Sequence, residues 1–284
     1  MAVAVVGDRE LEALRALYEL RFMLGTQLVR RFWPEARGRS ERRRCAELFE
    51  PGWTMRFQIT TRGGGQKHRI YMLTRHGFEL LKEHRGPRGP YIDPDARWQE
   101  PQIEDPRRVI HDLHVAAWLL VFEALAGEHL VRSWRGARSS RVHPPTRREG
   151  RKRLPLRPQD IPLGGSRRIR DLALEEFKPI SPDATIELAL SMASPPHRFD
   201  VLLELDRTGR PSSNGEKFHR HDALLTGWAR AHDRYKMQGE PPVVVFVVED
   251  EPKVARLHRC GGYRDHWSDC HAGHRAGALG IPGP

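Results

Sequence analysis

At 284 residues the chain is long enough for one large domain or two smaller ones, each with its own core. Charged residues make up 30%, yet apolar runs recur, which excludes an intrinsically disordered chain. The net charge of +11 and sequence pI near 10.1 favour a polyanionic partner, nucleic acid above all. Of the 48 basic residues 41 are arginine, whose planar fork bonds two phosphate oxygens at once. Three cysteines and no basic, apolar leader suggest a protein of the reducing cytoplasm. No run approaches the roughly 20 apolar residues that span a bilayer, so no membrane is expected among its partners.

The first predicted element is a helix in which Leu11, Leu14, Leu17 and Tyr18 recur at helical spacing behind Asp8 as N-cap. A second helix is predicted from Thr26, its cap, to Trp33, with Leu28, Val29 and Phe32 facing inward and Pro34 as its stop. The third, Ser40 to Phe49, has Arg42, Arg43 and Arg44 in its first turn, and Pro51-Gly52 ends it. Cys45 on this helix reads as a small core residue. Two strand-like runs, Thr54 to Thr60 and Arg69 to Leu73, are joined by Thr61-Arg62-Gly63-Gly64-Gly65-Gln66-Lys67. A glycine-rich basic hairpin directly after three helices is the pattern of a winged helix-turn-helix. Its third helix fits a major groove, and a cationic wing follows the backbone. The expected DNA-binding residues are Arg39, Ser40, Arg42 and Arg43 on that helix, with Arg62 and Lys67 on the wing. Residues 1–85, closed by a helix from Thr74 to His84, hold 17 basic against 10 acidic residues, a net of +7.

Residues 86–106 are rich in proline, glycine and charge and read as a linker. An apolar helix is predicted from Arg107 to Ala126, with His111 and His114 as half-buried structural residues, and a strand from His129 to Trp134. Residues 135–170 hold 12 basic against 2 acidic residues, and their prolines and glycines predict a long loop or arm. Such a tract either grips phosphates or is a solvated insertion. Two strands follow, Asp183 to Leu190 and Phe199 to Asp206, forming a hairpin around Pro195-Pro196. A helix from Glu216 to about Lys236 and the apolar run Pro242 to Val248 then make a strand–helix–strand crossover, so residues 107–258 should form an α/β domain. Residues 259–284 read as a loosely ordered tail.

The strand Phe199 to Asp206 carries the strongest chemical signal. Alternation places Glu204 and Asp206 on one face and Leu203 and Leu205 on the other. Paired carboxylates among apolar neighbours need positive charge between them, from a divalent metal or from basic groups. Asp183 upstream and Lys217 downstream lie where the fold would bring them to the same sheet end. Carboxylates that hold Mg²⁺, with a lysine to orient water, suit phosphodiester cleavage. The alternative is pairing with arginines such as Arg198, Arg207 and Arg220.

In Pro182-Asp183 and Glu204-x-Asp206 the chain resembles the PD-(D/E)xK nuclease superfamily, with Asp206 where that motif has lysine and Lys217 as a substitute on the next helix. Over residues 8–250 it resembles more narrowly the replication-relaxation proteins of plasmids and other mobile elements. The matching stretches are Leu17-Tyr18-Glu19-Leu20-Arg21-Phe22 through Gln27-Leu28, Arg69-Ile70-Tyr71-Met72-Leu73-Thr74-Arg75-His76-Gly77, and Leu203-Glu204-Leu205-Asp206-Arg207. This resemblance implies an N-terminal winged helix-turn-helix followed by a restriction-endonuclease-like α/β domain, an α+β to α/β chain overall. It also implies double-stranded DNA as partner, a homodimer being one open assembly, and a role in replication or DNA relaxation. The nuclease resemblance implies catalysis by Asp183, Glu204, Asp206 and Lys217, with Mg²⁺ on the three carboxylates. Two further readings stay open, a Mg²⁺-dependent endonuclease and a transcriptional regulator whose second domain binds protein. Cys260, His266, Cys270, His271 and His274 fit the paired spacing of a zinc site poorly.

Overall fold

The computed structural model describes residues 6–60, 67–86, 89–127, 130–149, 152–157, 177–190, 197–206 and 211–248. Helix α1 (Asp8–Leu20) is followed by the two-residue strand β1 (Met23–Leu24), then α2 (Gly25–Phe32) and α3 (Arg39–Phe49). Strands β2 (Thr54–Thr60) and β3 (Lys67–Leu73) and helix α4 (Arg75–Glu83) complete this first group. β3 pairs antiparallel with both β2 and β1, giving a three-stranded sheet of order β1-β3-β2.

Local chemistry sets these boundaries. Gly7, not Asp8, is the N-cap of α1, which leaves Asp8 in the first turn, where a negative charge suits the helix dipole. α2 begins a residue before the Thr26 expected from sequence. Gln27 folds back so that its Oε1 accepts from Leu24 N at 2.8 Å, supplying the cap that threonine was expected to give. Thr74 caps α4, its hydroxyl accepting from Gly77 N at 3.1 Å. Gly77 is required there, because a Cβ would stand 2.3 Å from the Trp53 carbonyl oxygen.

The proline-rich stretch after α4 contains the short pair β4 (Arg85–Gly86) and β5 (Gly89–Pro90), and it buries Tyr91 and Ile92 in the main core. Helix α5 (Pro106–Ala126) starts behind Asp105, whose carboxylate accepts from Arg107 N. By length and composition α5 could cross a bilayer, contrary to the sequence expectation that no stretch would. Here it is a packed helix: Val109, Leu113, Val115, Ala116 and Leu119 are buried, and its acids Asp112 and Glu123 pair with Arg21 and Arg31.

Strand β6 (Val131–Gly136) leads to the ribbon β7 (Thr146–Glu149) and β8 (Lys152–Pro155). The basic tract therefore contains a regular element where its prolines and glycines predicted none. Pro145 and Pro155 sit at the ribbon's ends, where no ladder hydrogen bond is lost. Strands β9 (Ala184–Leu190), β10 (His197–Asp206) and β11 (Val243–Val248) complete a sheet of order β11-β10-β9-β6, parallel between β10 and β11 and antiparallel elsewhere. The hairpin and parallel crossover thus match the sequence expectation. The intervening helix does not run unbroken to Lys236. It is α6 (Pro211–Thr226), interrupted at Gly227 by a single turn, Trp228–Arg230, and followed by α7 (Asp233–Gln238).

The central sheet has two covered faces. Val201, Leu203 and Leu205 of β10 share one core with Ala184 and Ile186, with α5 through Val115, Ala116 and Leu119, and with α1 through Leu14 and Leu17. On the other face Leu202 packs with Val142, Phe177, Leu224 and Trp228 under α6. The overall class is mixed α and β.

Candidate functional site

The even-numbered side of β10, under α6, carries Asp200, Leu202, Glu204 and Asp206, all buried. Alternation therefore placed Glu204 and Asp206 correctly relative to Leu203 and Leu205. Glu204, only 2% exposed, is held by two basic side chains from consecutive turns of α6. Its Oε2 accepts from Lys217 Nζ at 2.6 Å, and Oε1 meets His221 Nε2 at 2.9 Å. The four-residue spacing of Lys217 and His221 on one helix face makes this double grip geometrically natural. Arg220, one of the arginines expected from sequence to pair with Glu204, instead bonds Glu216 within α6 and the Pro179 carbonyl.

Asp183 is fixed by the ladder it extends. Its N–H donates to Leu203 O at 2.9 Å, and its Oδ2 accepts from Leu205 N at 2.8 Å, standing in for the next backbone carbonyl. The same Oδ2 lies 3.4 Å from His111 Nε2, and the His111 Nδ1 lies 3.4 Å from Asp112 Oδ1, which accepts from Arg21 Nη2 at 2.9 Å. Sequence reading treated His111 as merely structural; the only available signal was a histidine before a buried acid on an apolar helix.

Electrostatics follows from these contacts. Burial opposes the charge on His111, but its bonds to Asp112 and Asp183 prevail and push its pKa up to about 9. Burial likewise works against Lys217, yet the carboxylates of Glu204 and Asp183 raise its pKa. Burial would raise Asp183, and the hydrogen bond and charge of His111 outweigh it, leaving its pKa lowered. Asp206 adds its charge to the field at Lys217. The structure thus gathers Asp183, Glu204 and Lys217, with Asp206 acting on the lysine through space. Lys217, 42% exposed, opens the cluster to solvent.

A Mg²⁺ ion on Asp183, Glu204 and Asp206 does not fit this arrangement. Both Glu204 oxygens and Asp183 Oδ2 are already engaged by side chains or backbone. Among the described residues no group of three or more His, Cys, Asp or Glu side chains is disposed to hold a metal. Basic groups, one of the two sources of positive charge the sequence left open, contact these carboxylates. The Cys and His residues of 259–284 lie outside the described residues.

Asp200, which sequence reading passed over, is the other buried charge on this side. Arg234 binds it through Nε at 2.5 Å and Nη2 at 2.7 Å, Gln238 donates at 3.1 Å, and Arg135 reaches it at 3.5 Å. This hub fastens α7 to the sheet.

On α3 the buried positions are Cys45 and Leu48, while Arg39, Arg42 and Arg43 are exposed along the opposite side. Ser40 is half-buried and its hydroxyl is spent on the Arg37 backbone. Arg43 makes an exposed ion pair with Glu47 at 3.5 Å. Lys67 is exposed at the first position of β3, and Arg62 lies outside the described residues. The β2–β3 ribbon adds exposed Arg56 and Arg69, which sequence reading missed. Arg56 stacks 4.1 Å above the Phe49 ring, joining β2 to the end of α3.

Such a helix–strand unit joined to an α/β sheet with a buried cluster of acidic and basic side chains is a mixed α and β architecture. The replication-relaxation family model matches residues 14–239, and the chain belongs to that family. Membership suggests a part in replication or relaxation of plasmids or other mobile elements. No curated protein and no solved structure matches the chain.

Proposed function

We propose that this protein binds duplex DNA of a plasmid or mobile element through a winged helix formed by α1 to β3. The observation that carries the reading is the row Arg39, Arg42 and Arg43, spaced three and four residues apart and exposed opposite the buried Cys45 and Leu48. A helix of that width enters the major groove, where arginine bonds guanine O6 and N7, and Lys67, Arg56 and Arg69 of the ribbon meet phosphates. The element order, with the short β1 closing the ribbon as a third strand, supports it. Arg42→Ala with Arg43→Ala is expected to remove sequence preference in a gel-shift series, at about 1–3 kcal/mol for each base-reading arginine. Unchanged preference would refute the groove assignment.

A second reading, phosphodiester hydrolysis, is favoured by the convergence of Asp183, Glu204 and Lys217 at one sheet end. Incubation with supercoiled plasmid, with and without Mg²⁺, separates the two. Nicking that disappears in Glu204→Gln supports an enzyme, and retardation without nicking under either condition supports a binder.

A further inference from the structure

Among the described residues the β7–β8 ribbon forms a two-stranded sheet of its own, in the register Thr146↔Pro155, Arg147↔Leu154, Arg148↔Arg153 and Glu149↔Lys152. An isolated two-stranded ribbon is marginal in water, so it needs an anchor. That anchor lies at its base. Leu156 N donates to the Pro145 carbonyl at 2.9 Å, and Leu156 packs on the cluster of Val142, Leu202, Leu224 and Trp228. Val142 in turn pairs with Ile180. The ribbon is therefore rooted on the α6 face of the sheet, the face that carries Glu204, whereas α1 packs on the opposite face.

Its sequence makes little sense as a purely structural element. Residues 146–155 hold five basic residues and one acidic one. Arg148 and Arg153 occupy directly opposed positions in the register, which concentrates positive charge on the ribbon. Lys152 and Arg153 are exposed. No aromatic residue interrupts the run, so it offers no aromatic stacking platform for single-stranded bases. A row of backbone phosphates matches the exposed charge of Lys152 and Arg153.

We infer that the β7–β8 ribbon is a second duplex-DNA contact that grips backbone phosphates without reading sequence, separate from α3 and rooted beside the Glu204 cluster. The inference rests on the DNA-binding reading above and adds to it a second attachment point. Two contacts on one molecule make the second an intramolecular event, raising overall affinity without either contact being tight alone.

The test uses the full chain and fluorescence anisotropy on a duplex of arbitrary sequence across a salt series. The variants are K152A/R153A, R42A/R43A, and the charge-conserving K152R/R153K. Each phosphate contact contributes a slope of about 0.9 in log affinity against log salt, so K152A/R153A is expected to flatten the slope by about 1.8 and weaken all sequences alike. K152R/R153K is expected to restore the wild-type slope, which an unfolded ribbon would not allow. R42A/R43A is expected to lose sequence preference while keeping the ribbon-dependent part of the slope. Wild-type slope and affinity in K152A/R153A would overturn the inference and leave the α3 reading standing. An absence of any wild-type binding at low salt would overturn both.

Discussion

Arg21 shows how single residues tie this molecule together. At φ 66° it is the non-glycine residue with positive φ among those described, a conformation that costs on the order of 1–3 kcal/mol. Its guanidinium bonds Asp112, and the contacts continue through His111 to Asp183, so a turn after α1 is linked to the carboxylate end of the sheet. His111 makes this chain sensitive to pH. Its folded pKa of about 9 stands above the ordinary 6.5. The stabilisation is therefore complete below about pH 6.5 and lost as pH rises through about 9. The melting-temperature gap between wild type and His111→Gln should be largest near pH 6 and close towards pH 10. A gap independent of pH would show that His111 is not held charged. The carboxylates at this end could be read from strand alternation alone. Their partners could not, because Lys217, His221 and His111 come from two helices whose approach depends on packing.

Among the elements, β6 and α1 meet backbone to backbone. Gly136 lies so close to α1 that a Cβ would stand 2.0 Å from the Glu19 carbonyl oxygen and 2.5 Å from its carbon. Glu19, buried, accepts from Gly136 N at 2.9 Å and from the Ser139 hydroxyl, and its burial raises the carboxyl pKa. Gly136→Ala pits a methyl group against backbone rather than a movable side chain. It is expected to cost at least the 1–3 kcal/mol or so of an overpacked core, read as a lower denaturant midpoint. Stability equal to wild type would mean that the two elements part freely. Most elements were legible because each announces itself locally: the leucine spacing of α1, the seven-residue alternation of β2, and the apolar run of β11. Two misreadings share one cause. The break at Gly227 and the β7–β8 ribbon both depend on anchoring contacts, of Trp228 and Leu156 respectively, with the same cluster under α6. Such long-range burial overrides local propensity.

Across the whole molecule, one core runs from Leu11 of α1 to Val247 of β11, through Tyr91 and Ile92 in the stretch read as a linker. Arg21–Asp112, Arg31–Glu123, and the hydrogen bond from Gln27 Nε2 to Leu113 O at 3.1 Å clamp the first group of elements onto α5. The net charge of +11 is thus carried on a scaffold whose first helices and central sheet share apolar surface. The amino-acid sequence by itself determined the order of the principal helices and strands, the hairpin–crossover plan, the shared side of Glu204 and Asp206, and the family. Those follow from periodicity, turn chemistry and short motifs, all of which are local. Only the tertiary structure decided that Lys217 and His221 bind Glu204, that His111 joins Asp183, and that the basic tract forms a rooted ribbon. Each of these needs residues far apart in the chain to meet in a low-dielectric interior, where the worth of a charge depends on what packs beside it.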